Sequence, residues 1–467
     1  MKKIYFYDTS KKTKVEFVSL KPNIAKIYVC GPTVYDNSHL GHARSAIAFD
    51  LLHRVLKSNG FEVVFAKNFT DIDDKIIKKM KEEGKSLEEI TTFYIKNYKN
   101  DMEILNILPN SFEPKATENL DAMKEMIENL LSKDIAYKTD DSVYFDVSKD
   151  KNYGSLSNQA SDENSQARVE KKKKKRNSSD FALWKFEKAS DVSFASNFGA
   201  GRPGWHIECS AMIEKHLAYK DEPFQIDIHC GGADLLFPHH ENEASQTRCA
   251  SGQNLAKYWM HNGFVNINGE KMSKSLGNSF FLKDVLKSYS GEVVRFYLLS
   301  SSYRANINFN EEDLLVSKKR LDKLYRVKKR VYEVTASKVN EKFENTVLEA
   351  LNDDLNTSLA LSFIDEFINS SNDSLDKNPK DKTLKQEIVA NIEFIEKVLG
   401  FGGSDAFSYF QFGVSLELKK HIEDLISKRA EAKKNKDFAK ADSIRDELSA
   451  MNISIMDTAL GVVWEYR

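Results

Sequence analysis

The chain has 467 residues, 41% apolar and 30% charged, with a net charge of −1, which is the make-up of a soluble globular protein of two to four domains and gives by itself no support for nucleic-acid binding. No stretch of about 18 uninterrupted apolar residues is present, which excludes a membrane-spanning helix, and Met1-Lys2-Lys3 is followed by no apolar segment, so no signal peptide is read and a cytoplasmic location is expected. Cys30, Cys209, Cys230 and Cys249 are too sparse for a disulfide scaffold; free or metal-bound thiols in a reducing compartment are expected.

Lys26 to Cys30 reads as a short strand ended by Gly31-Pro32. A helix pattern runs from His39 to Asn59, with Ala46, Ile47, Phe49, Leu52, Val55 and Leu56 on its apolar face. Gly60 closes it, and Glu62 to Ala66 reads as a second strand. Strand, helix, strand predicts a βαβ unit and a parallel sheet. Residues 109–200 differ in character: a helix over 117–133, a hairpin over 136–147, then a polar stretch over 157–179. That stretch holds six consecutive basic residues, Lys171 to Arg176, read as a solvated loop. The α/β character returns at Gly201, with a buried strand over Phe224–His229 and a helix over 238–250. After Asn310 the chain reads as helical, with a polar break at 378–382 and a linker at Phe401-Gly402-Gly403-Ser404. A charged helix over 416–451, interrupted near Asn435, and a strand pair at 454–456 and 462–464 end it.

Three groups of residues carry chemistry. His39-Leu40-Gly41-His42 opens the first helix, whose N–H groups and positive partial charge suit phosphates. The two imidazoles share a face, and Gly41 removes a side chain where a flat base could lie. Surface histidines at a helix start are the competing account. Lys271-Met272-Ser273-Lys274-Ser275, flanked by Gly269 and Gly277, places two lysines and two hydroxyls where charge on a phosphate in transit could be stabilised. A solvated loop competes with that account. Pro238-His239-His240-Glu241-Asn242-Glu243 opens a helix in which His239 or His240 could share a face with Glu243. Cys30 should lie at the carboxyl end of a sheet strand, where open α/β sheets bind ligands. With Cys209 it could complete a tetrahedral zinc set of two thiolates, one imidazole and one carboxylate; buried structural thiols are the alternative.

The two phosphate-directed segments, in this order, resemble the HIGH and KMSKS signatures of class I aminoacyl-tRNA synthetases. Cys30-Gly31-Pro32-Thr33-Val34-Tyr35-Asp36, Asn68-Phe69-Thr70-Asp71-Ile72-Asp73-Asp74-Lys75, Gly201-Arg202-Pro203-Gly204-Trp205-His206-Ile207-Glu208-Cys209 and Phe237 to Glu243 resemble the cysteinyl-tRNA synthetases in particular. The resemblance implies zinc on Cys30, Cys209, His239 and Glu243, which selects His239 over His240. It implies ATP contacts at His39, Gly41, His42, Lys271 and Lys274, with His39, His42 and Lys274 serving catalysis. Substrate contacts are implied at Gly31, Thr70 and Trp205. The sequence departs from the family pattern at Asn177–Asp180, which lacks a proline, and at Gln166.

The implied architecture is an α/β, Rossmann-like parallel-sheet catalytic domain (1–108 and 201–310) split by a connective insertion (109–200). A helical bundle (311–400) and a small anticodon-binding domain (401–467) follow. The implied partners are L-cysteine, ATP with Mg2+, and tRNA(Cys), with one zinc per chain, no membrane, and a monomeric state. Lys428, Arg429, Lys433, Lys434 and Lys436 are candidates for meeting tRNA phosphates, with a solvated helix face as the alternative. Two rival functions keep part of this chemistry. One is a cysteine ligase acting on an amino sugar, which would lack the C-terminal region; the other is a non-catalytic zinc protein that binds RNA.

Overall fold

The computed structural model describes residues 2–158, 175–187, 192–267, 280–459 and 461–466, and the backbone at 270–271. The chain forms two compact units. The first is Met1–Lys283 with Ser301–Phe309 and Leu348–Ser358; the second is Asp284–Ser300 with Asn310–Val347 and Leu359–Arg467.

The first unit opens on a hairpin, β1 (Tyr5–Asp8) and β2 (Thr13–Glu16). Next come β3 (Ile24–Val29), α1 (Leu40–Ser58) and β4 (Glu62–Lys67). β3 and β4 are parallel, from Ile24 opposite Glu62 to Val29 opposite Lys67, as the strand–helix–strand pattern predicts. α1 is buried nearly all round its circumference, including Arg44, Asp50, His53 and Arg54. Two helices that the apolar pattern does not reveal follow, α2 (Asp74–Glu83) and α3 (Leu87–Ile104). Asp73 and Ser86 cap them by accepting from backbone N–H groups.

α4 (Leu120–Ser132) precedes β5 (Ala136–Lys138), β6 (Ser142–Phe145), β7 (Phe181–Phe186) and β8 (Gly201–Pro203). These strands form an antiparallel sheet in the order β5-β6-β7-β8, so the sheet of the insertion extends to Pro203. Met123, Ile127 and Leu130 of α4 pack there against Val143, Phe145, Leu183 and Trp184. Residues 171–174 of the basic run and Gln166 lie outside the described residues. Its last two members are engaged: Lys175 donates to the Asp180 carbonyl at 2.6 Å, and the Arg176 guanidinium lies 4.1 Å from the Tyr137 ring centre.

α5 (Trp205–His216), β9 (Phe224–Gly232), α6 (Glu241–Ser251) and β10 (Asn254–Asn262) rejoin the parallel sheet, whose order is β10-β9-β3-β4. β9 is buried from Gln225 to Gly231, as a strand inside a parallel sheet must be. Its polar Asp227 accepts from the N–H groups of Leu20 and Lys26 at 2.6 and 2.9 Å. Ile213 and Ala244 pack on one face of the sheet, against Tyr28, Ala66 and Ile226. β11 (Val265–Ile267) and β12 (Glu270–Lys271) follow.

Beyond α7 (Leu282–Ser288) lies α8 (Gly291–Leu299), and then β13 (Ile307–Phe309), which pairs parallel with β11. Helices α9 (Glu311–Arg330), α10 (Glu341–Asn352), α11 (Thr357–Lys377) and α12 (Lys382–Leu399) follow. In the second unit the 401–404 segment is tied down: Lys328 donates to the carbonyls of Gly402 and Ser404 at 2.7 Å each. The chain ends in α13 (Leu416–Lys434), α14 (Phe438–Ala450), β14 (Ile453–Thr458) and β15 (Gly461–Tyr466), around a core of Ile422, Leu425, Ile444, Leu448, Ile453 and Trp464. Arg429 does not stand on a solvated face. It is buried and grips Asp457 with two bonds, at 2.9 and 3.1 Å, while Lys433 reaches the same carboxylate at 2.8 Å and Lys428 pairs with Asp424. Lys434 and Lys436 are exposed.

Candidate functional site

Cys30 follows the last residue of β3, at the carboxyl end of the parallel sheet. α5 brings Cys209 to it, with the two sulfurs 3.8 Å apart. His239, in the turn that leads into α6, sets Nε2 3.8 Å from Cys209 Sγ and 2.9 Å from Glu243 Oε1. Glu243 Oε1 also lies 3.6 Å from Cys30 Sγ. The ligand atoms of Cys30, Cys209, His239 and Glu243 all lie within 4.8 Å of one another, close enough to hold one metal ion. Cys30, His229, His240 and Glu243 form a second such set, with His240 Nε2 3.3 Å from Cys30 Sγ. Only the first set uses both thiols.

The surroundings fix these groups. His229 Nε2 lies 2.8 Å from Glu243 Oε2 and orients the carboxylate. His206 Nδ1 lies 2.9 Å from His239 Nδ1, so one of the two rings donates there. His240 Nδ1 meets His261 Nε2 at 2.8 Å, and His261 Nδ1 meets Thr9 Oγ1 at 2.9 Å. Burial opposes the Glu243 carboxylate, but His239 and His229 outweigh it and hold its pKa well below the usual range. Burial also opposes the His239 imidazolium, yet Glu243 and Cys209 push its pKa up to about 10. The hydrogen bond from Cys30 lowers the Cys209 pKa to about 6, whereas burial pushes the Cys30 thiol up. All four cysteines are free; Cys230 is a buried thiol inside β9.

His39 is the N-cap of α1. Its Nδ1 accepts from the Gly41 N–H at 3.1 Å, and His42 Nδ1 accepts from the His39 N–H at 3.2 Å. The two rings stack with centroids 3.8 Å apart. Both acceptor bonds place the ring protons on Nε2 in the neutral rings. A Cβ on Gly41 would come within 2.9 Å of the His39 ring, so the glycine makes room for that ring.

A cleft of 550 Å3 joins the two groups. Cys30, Gly31, His39, Gly41, His42 and Trp205 line it, as do Lys67, Tyr98, Asp234 and Asn262. The last four carry no motif that sequence reasoning could seize on. Gly31 belongs there for a steric reason: its N–H donates to Asn68 Oδ1 at 2.8 Å, and a Cβ would lie 1.6 Å from the Asn68 carbonyl oxygen. Thr70 does not line the cleft. It is buried, and its hydroxyl donates to Glu208 Oε2 at 3.0 Å. Lys274 and the Lys271 side chain lie outside the described residues. The segment after them is described: Leu282 N–H donates to the Ser38 carbonyl at 2.9 Å, and Phe281 bridges to His39.

The chain matches known proteins along most of its length. The family described as tRNA synthetases class I (C) catalytic domain matches residues 16–319. A DALR domain matches 346–402, and a cysteinyl-tRNA ligase anticodon binding domain matches 416–464. A cysteine–tRNA ligase of Aliarcobacter butzleri is 72% identical over 465 residues, 100% of either chain. One of Nitratiruptor is 64% identical over 98% of this chain and 99% of its own. Among solved structures, Mycobacterium tuberculosis methionyl-tRNA synthetase in complex with methionyl-adenylate shares the fold, with a TM-score of 0.61 at 15% identity over 81% of this chain and 92% of that one. Sequence relationship over the full length, and a fold shared with the synthetases, show that the chain belongs to the cysteine–tRNA ligase family of class I aminoacyl-tRNA synthetases.

Proposed function

We propose that the chain activates L-cysteine with Mg2+-bound ATP to cysteinyl-adenylate and transfers the cysteinyl group to tRNA(Cys), with one zinc ion per chain selecting the substrate thiol. The observation that carries the zinc reading is the 3.8 Å separation of the Cys30 and Cys209 sulfurs. Two thiolates about 2.3 Å from a tetrahedral zinc stand about 3.8 Å apart. Bound zinc would favour a thiolate and lower the thiol pKa, which separates cysteine from serine where shape alone discriminates poorly.

The residues of the chain supply the rest. His229 and His206 hold Glu243 and His239 in place. Gly31 and Trp205 form cleft wall against the amino acid, while Thr70 acts from behind it through Glu208. His39 and His42 present Nε2–H donors to the triphosphate at the positive end of α1. Lys271 and Lys274 add charge there; the bridge from Phe281 to His39 returns the chain beside the cleft and supports this role. A carboxylate oxygen of cysteine bonds to the α-phosphorus as the bond to pyrophosphate breaks. A hydroxyl of the terminal adenosine then attacks the acyl carbon and AMP leaves. No side-chain nucleophile is needed, so the protein acts by positioning and electrostatics. The anticodon-domain match supports tRNA as acceptor over an amino sugar. The enzyme is taken to act as a monomer in the reducing cytoplasm. Among the described residues no helix is long and apolar enough to cross a membrane.

ATP–pyrophosphate exchange with each of the twenty amino acids, with and without a zinc chelator, tests this. Exchange driven by cysteine, hardly by serine, and lost with chelation is expected. Exchange that survives chelation, or that accepts serine, would refute the zinc reading. A failure of cysteine to support exchange would refute the activation chemistry.

A further inference from the structure

β4 ends on Lys67, opposite Val29, the residue before Cys30. A lysine at a strand end usually reaches water. This one is 8% exposed, with its ammonium 5.2 Å from the centre of the Tyr98 ring. Two carboxylates act on it from a distance, Glu113 and Asp50, and both are already engaged. Glu113 pairs with Lys99 at 2.5 Å and accepts from Asn110 at 2.9 Å. Asp50 pairs with Arg54 at 2.7 Å and accepts from the Leu108 N–H at 2.7 Å. Among the described residues the Lys67 ammonium has no hydrogen-bond or ion-pair partner. A nearly buried lysine whose ammonium still opens to solvent, with no acceptor of its own among the described residues, asks for a reason.

The cavities supply one. Lys67 borders the cleft that holds Cys30, His39 and His42, and also a cavity of 390 Å3 behind it, along α1 and α3. The other described lysine of the cleft, Lys75, is exposed and sits over the Tyr35 ring. Burial lowers the Lys67 pKa to about 8, which leaves it mostly charged at neutral pH.

We propose that Lys67 is a substrate contact for the activation step, its ammonium taking an oxygen of the amino-acid carboxylate and, after activation, of the adenylate phosphoryl group. This rests on the reading of the cleft as the site of cysteine activation. An amino acid held by its sulfur beside Cys30 has its carboxylate near the ends of β3 and β4, and Lys67 is the buried cation there. It keeps its proton throughout: the carboxylate oxygen bonds to phosphorus, pyrophosphate leaves with the electron pair, and the ammonium offsets charge as the anhydride forms.

The test uses the full-length, zinc-loaded enzyme and its Lys67→Met and Lys67→Arg variants. Cysteine-dependent ATP–pyrophosphate exchange is measured beside single-turnover transfer from preformed cysteinyl-adenylate to tRNA, with a thermal scan of each protein. Lys67→Met should lower kcat/KM for cysteine about 100-fold, leave KM for ATP and the thermal midpoint near wild type, and disturb transfer less than activation. Lys67→Arg should recover part of the loss. Unchanged exchange in Lys67→Met overturns the assignment, and so does a loss matched by a lowered midpoint. A defect confined to transfer overturns it in favour of a tRNA phosphate. Wild-type enzyme without cysteine-dependent exchange would instead refute the reading of the cleft, and this assignment with it.

Discussion

Trp205 lays its indole on the imidazole of His239, with ring centroids 4.0 Å apart and planes 13° from parallel. His206 meets Nδ1 of the same imidazole. Trp205 opens α5 one helical turn before Cys209, so a single turn of helix delivers a cleft wall and a thiol. The stack holds His239 Nε2 toward Cys209 and Glu243.

Trp205→Ala should therefore weaken substrate binding without emptying the metal centre. Trp205 also lines the cleft, and losing an aromatic contact worth about 1 kcal/mol to the amino acid should raise KM for cysteine in exchange about fivefold. Metal content at saturating zinc should be unchanged. An unchanged KM would remove Trp205 from the substrate wall.

Both thiols are buried, and serine replaces cysteine with little change in volume. Cys30→Ser and Cys209→Ser should each fold. Each should lower metal affinity by more than about 100-fold, beyond the range seen when only a supporting hydrogen bond is lost. Metal analysis after equilibrium dialysis measures this. Tight stoichiometric zinc in either variant would reject that thiol as a ligand.

The two donor sets share Cys30 and Glu243; the first adds Cys209 and His239, the second His229 and His240. If His239 is the ligand, His239→Ala should be as damaging to metal affinity as loss of a thiol. His229→Asn, which removes only a bond to Glu243, should weaken the metal about 10- to 100-fold. The opposite ranking in the same dialysis measurement would assign the ion to the second set.

The sequence makes parts of this site legible and hides others for physical reasons. Apolar residues at strand and helix spacing expose β3, α1 and β4. The helix position of His39 and His42 follows from that pattern. Spacing cannot choose between His239 and His240: both imidazoles reach the cluster, one at Cys209 and one at Cys30. Cys209 stands 179 residues from Cys30, a separation that only the tertiary fold closes. Lys67, one residue past the strand read over Glu62 to Ala66, carries no motif, and only the fold sets it against Tyr98 of α3. Arg429 is hidden among lysines, because its partner Asp457 comes from a later strand.

Gly31 gives a steric test of the loop below the cleft. A methyl group there would overlap the Asn68 carbonyl oxygen at 1.6 Å, and that oxygen belongs to backbone that cannot rotate away. Gly31→Ala should destabilise the first unit by about 3 kcal/mol, as overpacking against fixed backbone does. Urea unfolding measures it. A wild-type midpoint would mean that the Asn68 loop can shift freely.

Asp457 offers a test with a pH signature. The hydrogen bonds from Arg429 and then Lys433 hold its pKa well below the usual carboxylate range. A carboxylate with a depressed folded-state pKa contributes stability that is fully present above its unfolded pKa, near 3.9 by about a unit, and is lost as pH falls through the folded value. Asp457→Asn also leaves the buried Arg429 without its charged partner. Because half of the Asp457 side chain is exposed, at 53%, the expected loss is discounted to about 1–2 kcal/mol. Amide hydrogen exchange over α13 and β14 should show this difference at pH 7 and at pH 5. It should shrink below about pH 4, where the unfolded chain takes up a proton that the folded carboxylate does not, and vanish as pH falls through the folded value. A difference that persists undiminished at pH 2 would show that the Asp457 charge is not what holds Arg429.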